Sequence, residues 1–119
     1  MDATLPKSER LCGKTAVVGL FEAGKSASAG CLRCKYLYRP LEQEPSRIVV
    51  SVPKRSFKRA VKRNLLKRRM REAYRHQKAL LRAPADILFI YTSSEVQPYE
   101  KIFADMTSLL TVIGHAPDA

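Results

Sequence analysis

The chain has 119 residues, 45% of them hydrophobic, and carries 22 Lys and Arg against 11 Asp and Glu, a formal net charge of +11. This suits one domain with a single core. No run of 18 apolar residues is present, and the opening MDATLPKSER lacks the apolar stretch of a secretory signal, so neither a membrane span nor export is expected. Three cysteines, an odd number with no framework spacing, argue against a disulfide scaffold and for a reducing, cytoplasmic compartment.

Residues 1–9 read as a polar arm. Lys14 to Phe21, with Ala16, Val17, Val18, Leu20 and Phe21, is expected to form a short helix ending before Gly24. The small, polar stretch Lys25 to Gly30 is expected to be a loop or an irregular strand. From Cys31 to Arg39, Leu32, Cys34, Tyr36 and Tyr38 alternate with Arg33, Lys35 and Arg39, the period of a strand with one buried face. Pro40 to Ser46 is a connecting loop, and Arg47 to Val52 is a second β-rich run bounded by Pro53.

The next stretch, Lys54 to Arg75, reads KRSFKRAVKRNLLKRRMREAYR. It holds 11 of the 22 basic residues and only one acid, Glu72, so the rest of the chain, with 11 basic and 10 acidic residues, is near neutral. Charge confined in this way is the footprint of a surface that binds a polyanion. The stretch also has helical period. Leu66, Met70, Ala73, Gln77, Leu80 and Leu81 fall on one stripe, and Arg63, Lys67, Arg68, Arg71, Arg75 and Lys78 fall opposite. Ser56 is the expected N-cap, and Pro84 stops the helix a residue or two after its last turn. A merely solvated helix would mix signs for i,i+4 pairing, and this one barely does.

Ala85 to Thr92 is nearly all apolar and suits a strand covered on both faces. Pro98 to Leu110 is expected as a last helix, with Ile102, Phe103, Met106, Leu109 and Leu110 on one side, and residues 112–119 as a flexible tail. The order of elements describes a single α+β domain, a sandwich with helices on a small sheet.

Few residues offer chemistry. Cys31 and Cys34 form a CxxC, but a zinc site needs about four ligands, and Cys12, His76 and His115 are not at motif spacing. On a strand, i and i+3 point to opposite faces, and no helix begins here to stabilise a redox thiolate. Both are therefore expected to be reduced cysteines, with Cys34 in the core. His76 is expected at the surface or facing RNA, and His115 lies in the tail. Glu42 and Glu44 could hold a cation only weakly. No GxSxG, HExxH or Gly-rich phosphate loop occurs, so no catalytic and no metal-binding residue is assigned. Phe21, Tyr36 and Tyr38 could stack on unpaired bases, although strand parity puts Tyr36 and Tyr38 on the apolar face. Arg33 and Lys35, facing outward with Ser51 as neighbour, make a second nucleic-acid surface next to the basic helix.

The central motif Arg63-Asn64-Leu65-Leu66-Lys67-Arg68-Arg69-Met70-Arg71, preceded by Val50-Ser51-Val52-Pro53-Lys54-Arg55, resembles the protein subunit of bacterial ribonuclease P, whose core reads Arg-Asn-x-x-Lys-Arg-x-x-Arg. The arm from Leu5 to Leu11, Phe21 before Gly24, and the strand ADILFIYT fit the same family, so the resemblance covers nearly the whole chain. It implies a two-layer α+β sandwich of a small mixed four-stranded sheet and three helices, with a left-handed βαβ crossover, a fold class shared with a ribosomal protein domain. It also implies a role. A catalytic RNA removes the 5′ leader of precursor tRNA using Mg²⁺ held mainly by the RNA and substrate, and the protein assists.

On that resemblance, Lys54, Arg55, Lys62, Arg63, Asn64, Lys67, Arg68, Arg71 and Arg75 bind the RNA subunit. Val17, Phe21, Arg33, Lys35 and Ser51 line the cleft for the leader. The implied partners are ribonuclease P RNA and precursor tRNA, with no membrane, DNA or further protein partner. Three departures stand out. Val17 replaces a usual aromatic, Ser56-Phe57 replaces a frequent glycine, and Arg33 and Lys35 replace more neutral residues, which shifts leader binding from stacking toward phosphate contacts. The main competing reading is a structural RNA-binding protein, ribosomal or chaperone. A basic-zipper DNA reader lacks its heptads, and a membrane-surface helix would need the apolar stripe that the core uses.

Overall fold

The computed structural model describes residues 19, 20, 22, 24–39, 46–81 and 83–114. Four strands form one mixed sheet: β1 (Lys25–Ala29), β2 (Leu32–Tyr38), β3 (Arg47–Ser51) and β4 (Ala85–Tyr91), in the order β1-β2-β4-β3. β1 with β2 and β2 with β4 are antiparallel, whereas β3 and β4 run parallel. A parallel pair needs a long crossover connection. Here it is the basic helix α1 (Ala60–Gln77), followed by a 3₁₀ turn at Lys78–Leu80. A second long helix, α2 (Tyr99–Gly114), follows β4.

The sheet has two unlike faces. On the inner face Cys34, Tyr36, Ile48, Val50, Ile87 and Phe89 meet Leu66, Met70, Ala73 and Tyr74 of α1 and Ile102, Met106, Leu109 and Leu110 of α2 in one core. On the outer face Leu88 packs against Leu20, with Val49 and Ile90 beside them. The central strand β4 is thus buried on both faces, as its unbroken apolar run anticipates. Gly19, Leu20 and Glu22 are helical, and the Gly24 amide donates to the Leu20 carbonyl at 2.9 Å, so this helix does end at Gly24. The remainder of the expected Lys14 to Phe21 helix, the arm at 1–9 and the loop with Glu42 and Glu44 lie outside the described residues.

Several expectations are corrected. Of the two expectations for Lys25 to Gly30 the strand holds, though it is regular and not irregular: Lys25–Ala29 is an edge strand that turns into β2 through Gly30, whose φ of 53° lies in the left-handed region. A Cβ at Gly30 would also collide with the Asp105 carboxylate. Small residues suit this strand because α2 passes over it, with Ala27 and Ala29 packed against the core.

Ser56 does not cap α1. Its amide donates to the Pro53 carbonyl in a turn, Phe57 dives into the core against Tyr91, and the helix starts only after Arg59, which supplies no side-chain cap. The apolar stripe stops at Gln77. Leu80 is 41% exposed and Leu81 half-buried, because the chain tightens into the 3₁₀ turn. Tyr74, absent from the expected stripe, is fully buried against Phe89.

Nor does a tail begin at residue 112. α2 continues to Gly114, Ile113 is buried, and the Tyr38 hydroxyl donates to the Ile113 carbonyl at 2.7 Å. Residues 115–119 lie outside the described residues.

Cys31 and Cys34 do not point to opposite faces. Cys31 sits in the turn before β2, not on the strand, and both thiols are buried in the same core. Burial, and for Cys31 also a hydrogen bond to Asp105, pushes each thiol up to about 12, so neither is a ready thiolate. Asp105, itself buried on α2, accepts from the Cys31 amide at 2.9 Å and from Lys101 at 3.2 Å, tying the β1–β2 turn to the helix.

Candidate nucleic-acid interface

α1 buries Leu66, Met70, Ala73, Tyr74 and Gln77 and turns its other residues outward. Asn64, Arg68, Arg71 and Arg75 recur at i, i+4, i+7 and i+11, one stripe along the outer side. Asn64, Arg68 and Arg75 are exposed, and Arg71 is half-buried. Lys67 lies half-buried between this stripe and the core, and Lys62 is exposed one turn nearer the start. Lys54 and Arg55 are exposed in the turn that leads to the helix. Eight of the nine RNA-binding candidates therefore lie in one continuous region, the entering turn plus the outer side of α1; the ninth, Arg63, is half-buried.

The start of α1 is electrostatically incomplete. Its first turn has no acidic residue, yet Lys58, Arg59, Lys62 and Arg63 gather where the helix dipole is positive. Like charges there destabilise one another, and an anion brought to that end relieves both repulsions. Lys58 and Arg59 are exposed and were not among the sequence-based candidates, although they lie inside the basic block. With Ser56 and Lys62 they line a cleft of about 470 Å³ whose far wall is Ser94, Glu95 and Val96. No local signal could have placed that wall, which comes from the loop after β4. The loop is held by Tyr91, whose hydroxyl accepts from the Gln97 amide at 2.9 Å and donates to the Glu95 carbonyl.

Some basic side chains of this block are engaged by the protein itself. Arg63 Nη1 donates to the Phe57 carbonyl at 2.6 Å and to the Lys58 carbonyl at 2.9 Å. Arg69 Nη1 donates to the Gln97 carbonyl at 2.6 Å. Arg75 pairs with Glu72, and His76 Nε2 meets the same carboxylate. The hydrogen bond from Arg75, with the charges of Arg75 and His76, outweighs burial and holds Glu72 below the ordinary carboxylate range. Arg75 is therefore partly neutralised as an RNA ligand. His76 is at the surface, with half its side chain exposed.

The second candidate surface lies elsewhere than expected. Register places Arg33 opposite Ile90, and Ile90 opposite Ser51, in one row across the outer face, with Ser28 beyond Arg33. The next row is Ser26, Lys35, Leu88 and Val49. Arg33 and Ser51 are thus two strand spacings apart, about 10 Å. They share a face with Leu20, whereas α1 packs on the opposite face. The two basic surfaces approach each other only around the edge of β3, where Ser51 runs into Lys54. Arg33 is exposed, and Lys35 and Ser51 are half-buried. Val17 and Phe21, the other two cleft candidates, lie outside the described residues. A third row closes the face electrostatically: Arg47 grips Asp86 through two bonds of 2.8 and 2.7 Å, with Arg39 3.6 Å away. Tyr36 and Tyr38 are on the inner side and pack edge to face, so neither offers a stacking surface to the outer face.

Fold and site together define an α+β protein built around a crossover helix whose outer side is cationic. Residues 5–114 match the family model for Ribonuclease P. The chain is 36% identical to the ribonuclease P protein component of Porphyromonas gingivalis over 97% of this chain and 90% of that one. It is 44% identical to that of Chlorobaculum tepidum over 65% of this chain and 53% of the other. Among solved structures, the RNase P protein of Thermotoga maritima superposes with a TM-score of 0.77 at 25% identity, covering 88% of this chain and 97% of that one. The Staphylococcus aureus RNase P protein has the same fold, with a TM-score of 0.75 at 20% identity over 89% and 95% of the two chains. The chain belongs to the ribonuclease P protein family.

Proposed function

We propose that the chain acts as the protein subunit of ribonuclease P, binding the catalytic RNA through the outer side of α1 and laying the 5′ leader of precursor tRNA across the outer face of the sheet. In this role it assists endonucleolytic removal of the leader. The observation that carries the reading is the confinement of basic charge to the entering turn and outer side of α1, in a chain of this family.

The geometry suits such a partner. A folded RNA presents phosphates and shape more readily than base edges. The guanidinium forks of Arg68 and Arg71 suit bidentate phosphate contacts, and Lys62 and Lys67 add point charge. Asn64 both donates and accepts, which helps to set register. On the outer face, Arg33 and Ser51 flank the apolar Ile90, and Lys35 stands in the next row. That pattern suits a single strand, with phosphates at the cation and bases over the apolar strip.

Bond cleavage belongs, in this reading, to the RNA. In this reading Mg²⁺ is held mainly by the RNA and the substrate, whose phosphates are its usual ligands. A cytoplasmic location, where precursor tRNA is made, is part of the same proposal. Among the described residues, no helix is long and apolar enough to cross a membrane.

A cleavage assay at low Mg²⁺ tests this. A 5′-labelled precursor tRNA is incubated with the source organism's ribonuclease P RNA, with and without the protein. Strong stimulation, lost in Lys67→Ala/Arg68→Ala, is the expected result. No stimulation, together with tight binding to another structured RNA, would favour a ribosomal or chaperone role.

A further inference from the structure

We infer that Arg63 is a positioning residue that clasps the turn entering α1 and so aims Lys58 and Arg59 at the RNA. The inference rests on the reading of α1 as the RNA-binding element, and it changes the role of one residue within it.

The two hydrogens on one terminal nitrogen of Arg63 are directed at two successive carbonyls, those of Phe57 and Lys58, at 2.6 and 2.9 Å. Neither carbonyl belongs to the helix, which begins at Ala60. Side chains on a helix lean toward its N-terminus, so a residue in the second turn can reach back over the entry. The clasp therefore spans the peptide units on both sides of Lys58.

Other anchors leave Lys58 itself unheld: beyond it, the Arg59 carbonyl accepts the first helical amides, those of Lys62 at 3.2 Å and Arg63 at 3.3 Å. Phe57 is buried against Tyr91 at a ring separation of 5.8 Å, and the Ser56 amide closes a turn on Pro53. Between Phe57 and the first helical residue, Lys58 and Arg59 are exposed, and no side chain caps the helix start. With no cap, and with a cation where the helix dipole opposes one, this entry would fray without another restraint. Arg63 supplies it, and its own positive charge is offset by the two carbonyl dipoles that it bonds.

The functional consequence follows from geometry. Lys58 and Arg59 line the cleft opposite Ser94 and Val96. Their direction depends on the two peptide units that Arg63 holds. Removing Arg63 should blunt their contribution as well as its own charge.

The test has two arms. Native-state digestion of the free protein with dilute trypsin, read by mass spectrometry, reports the clasp. Arg63→Ala should speed cleavage after Lys58 and Arg59 severalfold while leaving the melting curve close to wild type. The second arm is a double-mutant cycle on affinity for the cognate ribonuclease P RNA. Arg63→Ala should weaken binding by about tenfold in the wild type but by less than about threefold in Lys58→Ala/Arg59→Ala, whereas it should be additive with Arg68→Ala. Unchanged trypsin cleavage would overturn the clasp. Faster cleavage with full additivity toward Lys58 and Arg59 would overturn the positioning role and make Arg63 a direct phosphate ligand. If wild-type protein shows no selective affinity for that RNA, the functional reading falls and the positioning role falls with it, while the clasp is still judged by trypsin.

Discussion

The two long helices pack side by side on the same face of the sheet, yet they are built to different ends. α2 buries Ile102, Asp105, Met106, Leu109, Leu110, Ile113 and Gly114 and begins with Glu100 in its first turn, where a helix dipole favours an acid. Its polar groups find partners within the chain: Asp105 holds Cys31 and Lys101, and Thr107 donates to the side chain of Gln77 on α1. α1 buries five residues along a narrower stripe and starts with no acid and no side-chain cap. α2 is completed by the fold. α1 is packed on its inner side and carries a large excess of positive charge on its outer side, which an RNA partner would offset. An element whose local preferences are unmet by its own chain indicates where a partner binds.

The contrast can be broken most directly in α2. Leu109→Ala should cost about 2–5 kcal/mol, read as a lower denaturant midpoint, because a fully buried leucine leaves a cavity. Arg68→Ala on α1 should change stability by no more than about 0.5 kcal/mol. Equal losses would mean that α1's outer side serves the fold.

Lys67→Ala/Arg68→Ala should lower affinity for ribonuclease P RNA roughly tenfold or more and flatten the log–log salt dependence by about 0.7–0.9 for each phosphate no longer neutralised. An unchanged slope in a salt titration would remove α1 as the RNA face.

Asp105→Ala should cost about 1–3 kcal/mol near neutral pH, since the Cys31 amide and Lys101 lose their acceptor. Burial alone would raise this carboxyl, but the Cys31 amide, the Cys31 thiol and Lys101 outweigh it and hold Asp105 below its ordinary value of 3.8. A group with a lowered native pKa stabilises above its unfolded value and loses that contribution as pH falls through the native one. The gap between wild type and variant in acid-titrated unfolding curves should therefore close below pH 3.8. A constant gap would show that Asp105 acts by packing alone.

A smaller effect separates the two basic surfaces. Arg33→Ala/Lys35→Ala should reduce the preference for precursor over mature tRNA by a few-fold and leave affinity for the RNA subunit near wild type. Competition binding with both tRNAs measures it, and an equal loss toward both would return these residues to a nonspecific role. Smallest of all is the expected thiol signal. With Cys31 and Cys34 buried and pushed up to about 12, neither should react with a disulfide reagent at pH 8 until the protein unfolds.

What could be read from the chain was what local period carries. The alternation of Leu32, Cys34, Tyr36 and Tyr38 returned as β2 with its apolar side inward, and the run ADILFIYT returned as a strand buried on both faces. Leu66, Met70 and Ala73 returned as the inner stripe of α1. Ends were less legible. Ser56 has the chemistry of a cap, but Phe57 is worth more in the core against Tyr91 than a helical turn begun three residues earlier. The small residues of Lys25–Ala29 look like a loop until α2 lies over them and β2 pairs with them.

The sequence by itself determined that one helix would carry the charge, which strand faces would be apolar, and the family motif from Arg63 to Arg71, because each depends on residues within a few turns or strand steps of one another. Only the tertiary structure decided which basic residues look outward. Arg69 meets Gln97, 28 residues on, and Arg63 turns back on the helix entry. The row of Arg33, Ile90 and Ser51 exists only because β4 inserts between β2 and β3. Cys31 is buried in the core, and its amide hydrogen goes to Asp105, 74 residues away. These placements depend on register and packing between distant segments, which no periodicity within a single segment encodes.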